Sequence, residues 1–158
     1  MKAATLNDLK KELSIQNHDE LVNLCLRLGR FKKENKELLT YILFDSKSEE
    51  NYLKDIKVEM DLLFDEINKA NLYWAKKSLR KILRNINKYI RYSDETTTSI
   101  ELLIHYCIKF KALGIEYEKS TALKNLYDSQ IKKIKKEMVA IHEDLQYDYK
   151  RKLALLEN

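Results

Sequence analysis

Leucine, isoleucine and other apolar residues return every three or four positions along almost the whole chain, the spacing that places them on one face of an α-helix. Leu6, Leu9 and Leu13 mark a short first helix that Thr5 can cap. Leu21, Leu24, Cys25 and Leu28 mark a second behind Asn17, with Gly29 expected at its end as the left-handed closing residue. A third runs from Phe31 to Phe44 and ends in LLTYILF. In DSKSEENY, Ser46 with Glu49 three residues on reads as a capping box. It opens a fourth, acidic helix to about Ala70, with Leu53, Ile56, Met60, Leu63, Phe64 and Ile67 facing inward.

The sequence NKAN then reads as a tight turn or a kink before a fifth helix at residues 71–92. YSDETTTS, polar and β-branched, is the clearest interruption. Beyond it, IELLIHYCIKFKAL is apolar on nearly every side, which predicts a sixth helix at the centre of the fold, closed by Gly114. From about 120 to 156 there is no breaker, and a long C-terminal helix of roughly 50 Å is expected at 1.5 Å per residue.

Seven helices on short links imply antiparallel neighbours. The expected fold is all-α: a single domain over residues 1–158, built of antiparallel helical hairpins stacked as an α-α superhelix. The pair at 46–92 is HEAT/armadillo-like in size, although no internal repeat accompanies it. An irregular helical bundle is the alternative. In the last helix Tyr127, Ile131, Ile134, Met138, Ile141 and Leu145 follow four-and-three steps, and after a slip the seam continues at Tyr149, Leu153 and Leu156. Such a seam either packs along the chain's own helices or joins a homodimer through the C-terminal helix.

Composition narrows this picture. There is no proline and only two glycines in 158 residues, which leaves too few turn formers for a β-rich or Rossmann-like fold. Hydrophobic residues make up 44% and charged residues 35%, the balance of neither a disordered chain nor a membrane protein. No eighteen uncharged apolar residues run together, and MKAATLNDLKKEL lacks the apolar stretch of a signal peptide. Cys25 and Cys107 are far apart among apolar neighbours and read as small buried hydrophobes. The expectation is a cytoplasmic protein with reduced thiols and no membrane association.

Charge singles out one element. NLYWAKKSLRKILRNINKYIRYS, residues 71–93, holds seven cations and no acid. The formal charge of +5 comes from this region, because residues 67–93 carry 8 basic and no acidic side chains while 1–66 carry 11 and 14, and 94–158 carry 11 and 11. On a helical projection Leu72, Leu79, Ile82, Leu83, Ile86 and Ile90 share one sector. Lys77, Arg80, Lys81, Arg84, Lys88 and Arg91 share the opposite one, with Tyr73 among them and Trp74 and Tyr92 at the border. Such a row suits phosphates, which Lys and Arg neutralise with release of counterions, and an aromatic ring beside it can stack on an unpaired base. The simpler reading is a solvated face neutralised by the fourth helix, which carries Glu49, Glu50, Asp55, Glu59, Asp61, Asp65 and Glu66.

Catalytic patterns are weaker. None of His18, His105 and His142 follows a Glu by three positions, so the Glu-x-x-His signature of a di-metal bundle is missing. Glu101 and His105 share a helix face with Cys107 near, but a spacing of two turns His105 and Cys107 to different sides. No P-loop, Gly-rich loop or Ser/His/Asp order is present, and no catalytic residue, metal ligand or cofactor is assigned. The sequence thus ranks a non-catalytic helical scaffold for a protein partner first. A nucleic-acid-binding accessory protein using helix 71–92 comes second, and an enzyme of unknown type third.

Overall fold

The computed structural model describes residues 2–157, and among them the chain is all-α, with eight α-helices and no strand. By their contacts the residues cluster into two compact units, 1–44 and 45–158.

The first unit holds α1 (Leu6–Ser14), α2 (His18–Phe31) and α3 (Lys33–Leu43). Thr5 caps α1, its hydroxyl accepting the Asp8 N–H at 3.2 Å. Asn17 and Glu20 form a reciprocal capping box on α2 at 2.9 and 3.1 Å, so two of the unbonded N–H groups at this helix start are satisfied. Gly29 is not the closing residue: α2 runs on to Phe31, and a Cβ at Gly29 would meet Leu39 Cδ1 at 3.1 Å. The glycine instead lets α2 and α3 approach closely, and Asn35 Nδ2 donates to the Leu28 carbonyl at 2.8 Å across the turn. Among the described residues of this unit Tyr41 alone is buried. Cys25, expected in a core, is exposed.

The second unit holds α4 (Glu49–Asp65), α5 (Leu72–Ser93), α6 (Thr96–Ala112), α7 (Thr121–Met138) and α8 (Glu143–Glu157). Ser46, expected to cap α4, is not its N-cap residue. Ser46 lies in a single 3₁₀ turn, Ser48 stands at the cap without a side-chain bond, and the Glu49 carboxylate instead accepts the Ser93 and Thr98 hydroxyls at the α5–α6 junction. As its apolar circumference requires, α6 is central and touches α4, α5, α7 and α8. Leu102, Leu103, Tyr106, Cys107 and Phe110 of α6 are all sealed from solvent. The Phe110 ring meets Tyr106, Tyr117 and Tyr127 edge-on at 5.2 to 5.9 Å. Gly114, at φ +67°, closes α6 in the left-handed region.

The long C-terminal helix expected at 120–156 is two helices, broken between α7 and α8 around Val139–His142. The break lets α8 fold back. Tyr127 donates to the Leu156 carbonyl at 2.9 Å, Lys111 reaches the same oxygen at 3.3 Å, and Lys135 pairs with Glu157. Tyr127, Ile131, Ile134, Met138, Tyr149, Leu153 and Leu156 are buried, so most of the seam read from the sequence packs inside this unit. No helix among the described residues is long and apolar enough to cross a membrane.

Candidate anion-binding face of α5

The 22-residue α5 starts at Asn71, whose Oδ1 accepts the N–H groups of Tyr73 and Trp74 at 2.9 and 3.3 Å. It ends at Asp94, which takes the left-handed conformation at φ 56° and donates its N–H to Ile90. No glycine or proline interrupts it. The apolar stripe fixes its rotation: Ala75, Leu79, Ile82, Leu83 and Ile86 are buried. Hydroxyls of two neighbouring helices reach its backbone, Tyr106 of α6 donating to the Leu79 carbonyl at 3.2 Å and Tyr52 of α4 to the Tyr89 carbonyl at 3.0 Å.

With the stripe inward, the opposite sector faces solvent. Lys77, Arg80, Lys81, Arg84 and Arg91 are exposed, and among the described residues none of the five has an ion-pair partner. Lys88 is half-buried, with its ammonium 4.9 Å from the centre of the Tyr89 ring. Like charges three and four residues apart on a helix destabilise it by about 0.2–0.5 kcal/mol per pair, so the row carries a repulsion that a bound anion would relieve.

Of the acids of α4 expected to neutralise the row, Asp61 and Glu59 are engaged elsewhere. Asp61 of α4 is 2.6 Å from His105 Nε2 and 3.1 Å from Lys109 Nζ, both on α6. Burial works against the Asp61 charge, but the hydrogen bonds from His105 and Lys109 outweigh it and hold the carboxyl below its ordinary range. Glu59 accepts the Tyr89 hydroxyl at 2.9 Å, which leaves the cations untouched. On α6, Glu101 bridges Lys57 of α4 at 2.7 Å and Lys152 of α8 at 2.9 Å. Its carboxyl too lies below its ordinary range, because those two lysines more than offset its burial.

A shallow groove of about 600 Å³ runs along this face from Tyr73 to Asn87, with Lys76, Lys77, Arg80 and Arg84 on its walls and Leu83 in its floor. Tyr73 and Trp74 stand at its head, rings edge-to-face at 5.2 Å, with Lys76 5.8 Å from the Tyr73 ring and Lys77 5.1 Å from the Trp74 ring. At its foot Lys133 of α7 donates to Asn87 Oδ1 at 3.1 Å and lies 3.8 Å from Glu137. Lys76, Asn87 and Lys133 belong to the face and escaped the sequence reading. Lys133 sits in the run KKIKK, but only the packing of α7 shows which of its lysines meets α5.

The other residues singled out in the sequence are not brought together. Cys107 is sealed in the core with its thiol pushed up to about 12 by burial, while His105 faces Asp61 on another side of α6. Among the described residues no group of three or more His, Cys, Asp or Glu is disposed to hold a metal ion. No protein-family model matches the chain, and neither a curated protein nor a solved structure matches it.

Proposed function

We propose that this chain is a non-catalytic, cytoplasmic nucleic-acid-binding accessory protein that grips a phosphate backbone along α5. One observation carries the proposal: five cations of the row stand exposed without an ion-pair partner among the described residues, while Asp61 and Glu101 on the helices beside α5 are tied to other lysines and to His105. Guanidinium groups offer paired donors to phosphate, which solubility alone does not demand. An anionic membrane surface suits the face less well, because the apolar stripe that a surface-lying helix would insert is buried.

The test is a titration of labelled single-stranded and duplex oligonucleotides at several salt concentrations. Wild type is compared with a Lys77→Gln, Arg80→Gln, Arg84→Gln, Arg91→Gln variant. Glutamine keeps helix propensity, so the circular dichroism spectrum is expected to survive while affinity falls. The slope of log affinity against log salt is expected to shrink by roughly 0.7–0.9 for each phosphate contact removed. Binding no tighter than about millimolar at low salt, or an unchanged slope, overturns the proposal.

The scaffold reading that leads from sequence alone is kept as a second proposal by the first unit. Leu6, Leu9, Leu13, Val22, Leu28 and Phe31 are exposed along α1 and α2, and apolar surface of that extent marks a site for a protein partner.

A further inference from the structure

Between α2 and α3 lies a groove of about 630 Å³ whose floor is apolar and whose rim is basic. Leu26, Leu39, Leu43 and Phe44 form the floor, with Leu43 56% and Phe44 66% exposed. Arg30, Lys32, Lys33 and Lys36 stand around it. Lys33 pairs with Glu37 at 3.5 Å, whereas Arg30, Lys32 and Lys36 have no ion-pair partner among the described residues. An apolar floor ringed by unpaired cations selects an occupant with the converse pattern, an apolar ridge flanked by acids.

The same chain carries that ridge. On the outer face of α4, Val58 and Leu62 stand one turn apart, 55% and 62% exposed. A helical projection puts Asp65 on one side of them and Asp55 and Glu66 on the other. All three acids are exposed and, among the described residues, without an ion-pair partner.

We propose that the α2–α3 groove receives the Val58–Leu62 ridge of a second copy of this chain. Each copy owns one groove and one ridge, the complement of surfaces that a self-complementary pair needs. The pairing uses a face other than the C-terminal seam, which is buried. It uses other residues of the first unit than those behind the scaffold reading and no residue of α5, so its failure leaves the nucleic-acid proposal standing.

The experiment is molar mass by light scattering and sedimentation, from about 1 to 500 μM at low and high salt. Wild type is expected to move from 18.9 kDa toward twice that mass with rising concentration, and to dissociate as salt rises. Arg30→Glu with Lys36→Glu reverses the rim; Asp55→Lys with Glu66→Lys reverses the ridge. Each double variant alone is expected to pair at least tenfold more weakly. Mixed, they are expected to pair again, because the reversed rim meets the reversed ridge and the native rim meets the native ridge. A wild type that stays monomeric throughout overturns the proposal, as does a dimer indifferent to either reversal or a mixture that fails to recover. Should the rim reversal unfold α1–α3, the α4 variant decides alone: dimerisation that survives it is fatal to the idea.

Discussion

Residues 2–44 and 45–157 are both written in apolar residues three and four apart, yet the first stretch buries one side chain and the second builds a full core. Side chains cap α1 and α2 at their N-termini but not α4, α6 or α7, so better capping is not what builds the second unit's core. The second unit contains α6, apolar around most of its circumference, and a helix of that kind gives four others something to cover. Among α1, α2 and α3 the apolar residues find no such neighbour, and Val22, Leu24, Leu26, Leu28 and Phe31 of α2 all stay exposed. Amphipathicity therefore decides that a segment is helical; whether its stripe is sealed depends on a partner face that the stripe itself does not encode.

The largest test of that contrast is a pair of truncations. Leu103 on α6 is completely buried, and Leu103→Ala is expected to lose about 2–5 kcal/mol of stability in urea denaturation. Leu28→Ala on α2, at a position 58% exposed, is expected to lose less than about 0.5 kcal/mol. Equal losses would erase the distinction between the units.

The two glycines give a smaller contrast of opposite sign. A Cβ at Gly114 meets nothing within 4 Å, so Gly114→Ala is charged only for its left-handed backbone, about 1–2 kcal/mol lost. Gly29 is helical and its nearest obstacle is the tip of the Leu39 side chain. In a loosely packed hairpin that tip gives way, and Gly29→Ala is expected to gain up to about 1 kcal/mol of helix propensity, read as a rise in the thermal midpoint of helix loss.

The smallest effect is in pH. Asp61 and Glu101 hold their protons less tightly folded than unfolded, where their values are near 3.8 and 4.5. Their contribution is therefore complete above that range and disappears as pH falls through the lowered folded values. Melting temperatures measured from pH 6 to about 2 are expected to fall less steeply for Asp61→Asn with Glu101→Gln than for wild type. An unchanged profile would show that these ties between α4, α6 and α8 add nothing to the core unit.

Much of this was legible before any coordinates. The run IELLIHYCIKFKAL announced a central helix, and the stripe from Leu72 to Ile90 fixed the rotation of α5 and with it which cations face out. The break at Val139–His142 was not legible, because those residues include no glycine or proline, and the interruption follows from α8 packing back on α6 and α7. Gly29 looked like a terminator for the opposite reason: glycine serves both left-handed ends and close helix contacts, and only Leu39 across the gap tells them apart. The fate of the acids of α4 was hidden too, since Asp61 and Lys57 turn toward α6, and sequence gives a helix its faces without saying which neighbour each one meets.

Trp74 is the one tryptophan in the chain, and it sits half in water beneath Lys77 at the head of α5. An indole already wet in the native state emits much as it does in an unfolded chain, so intrinsic fluorescence will track the melting of this molecule poorly. The same placement makes its emission a built-in spectroscopic probe of whatever lands on α5, one that needs no label and has no second indole to dilute it.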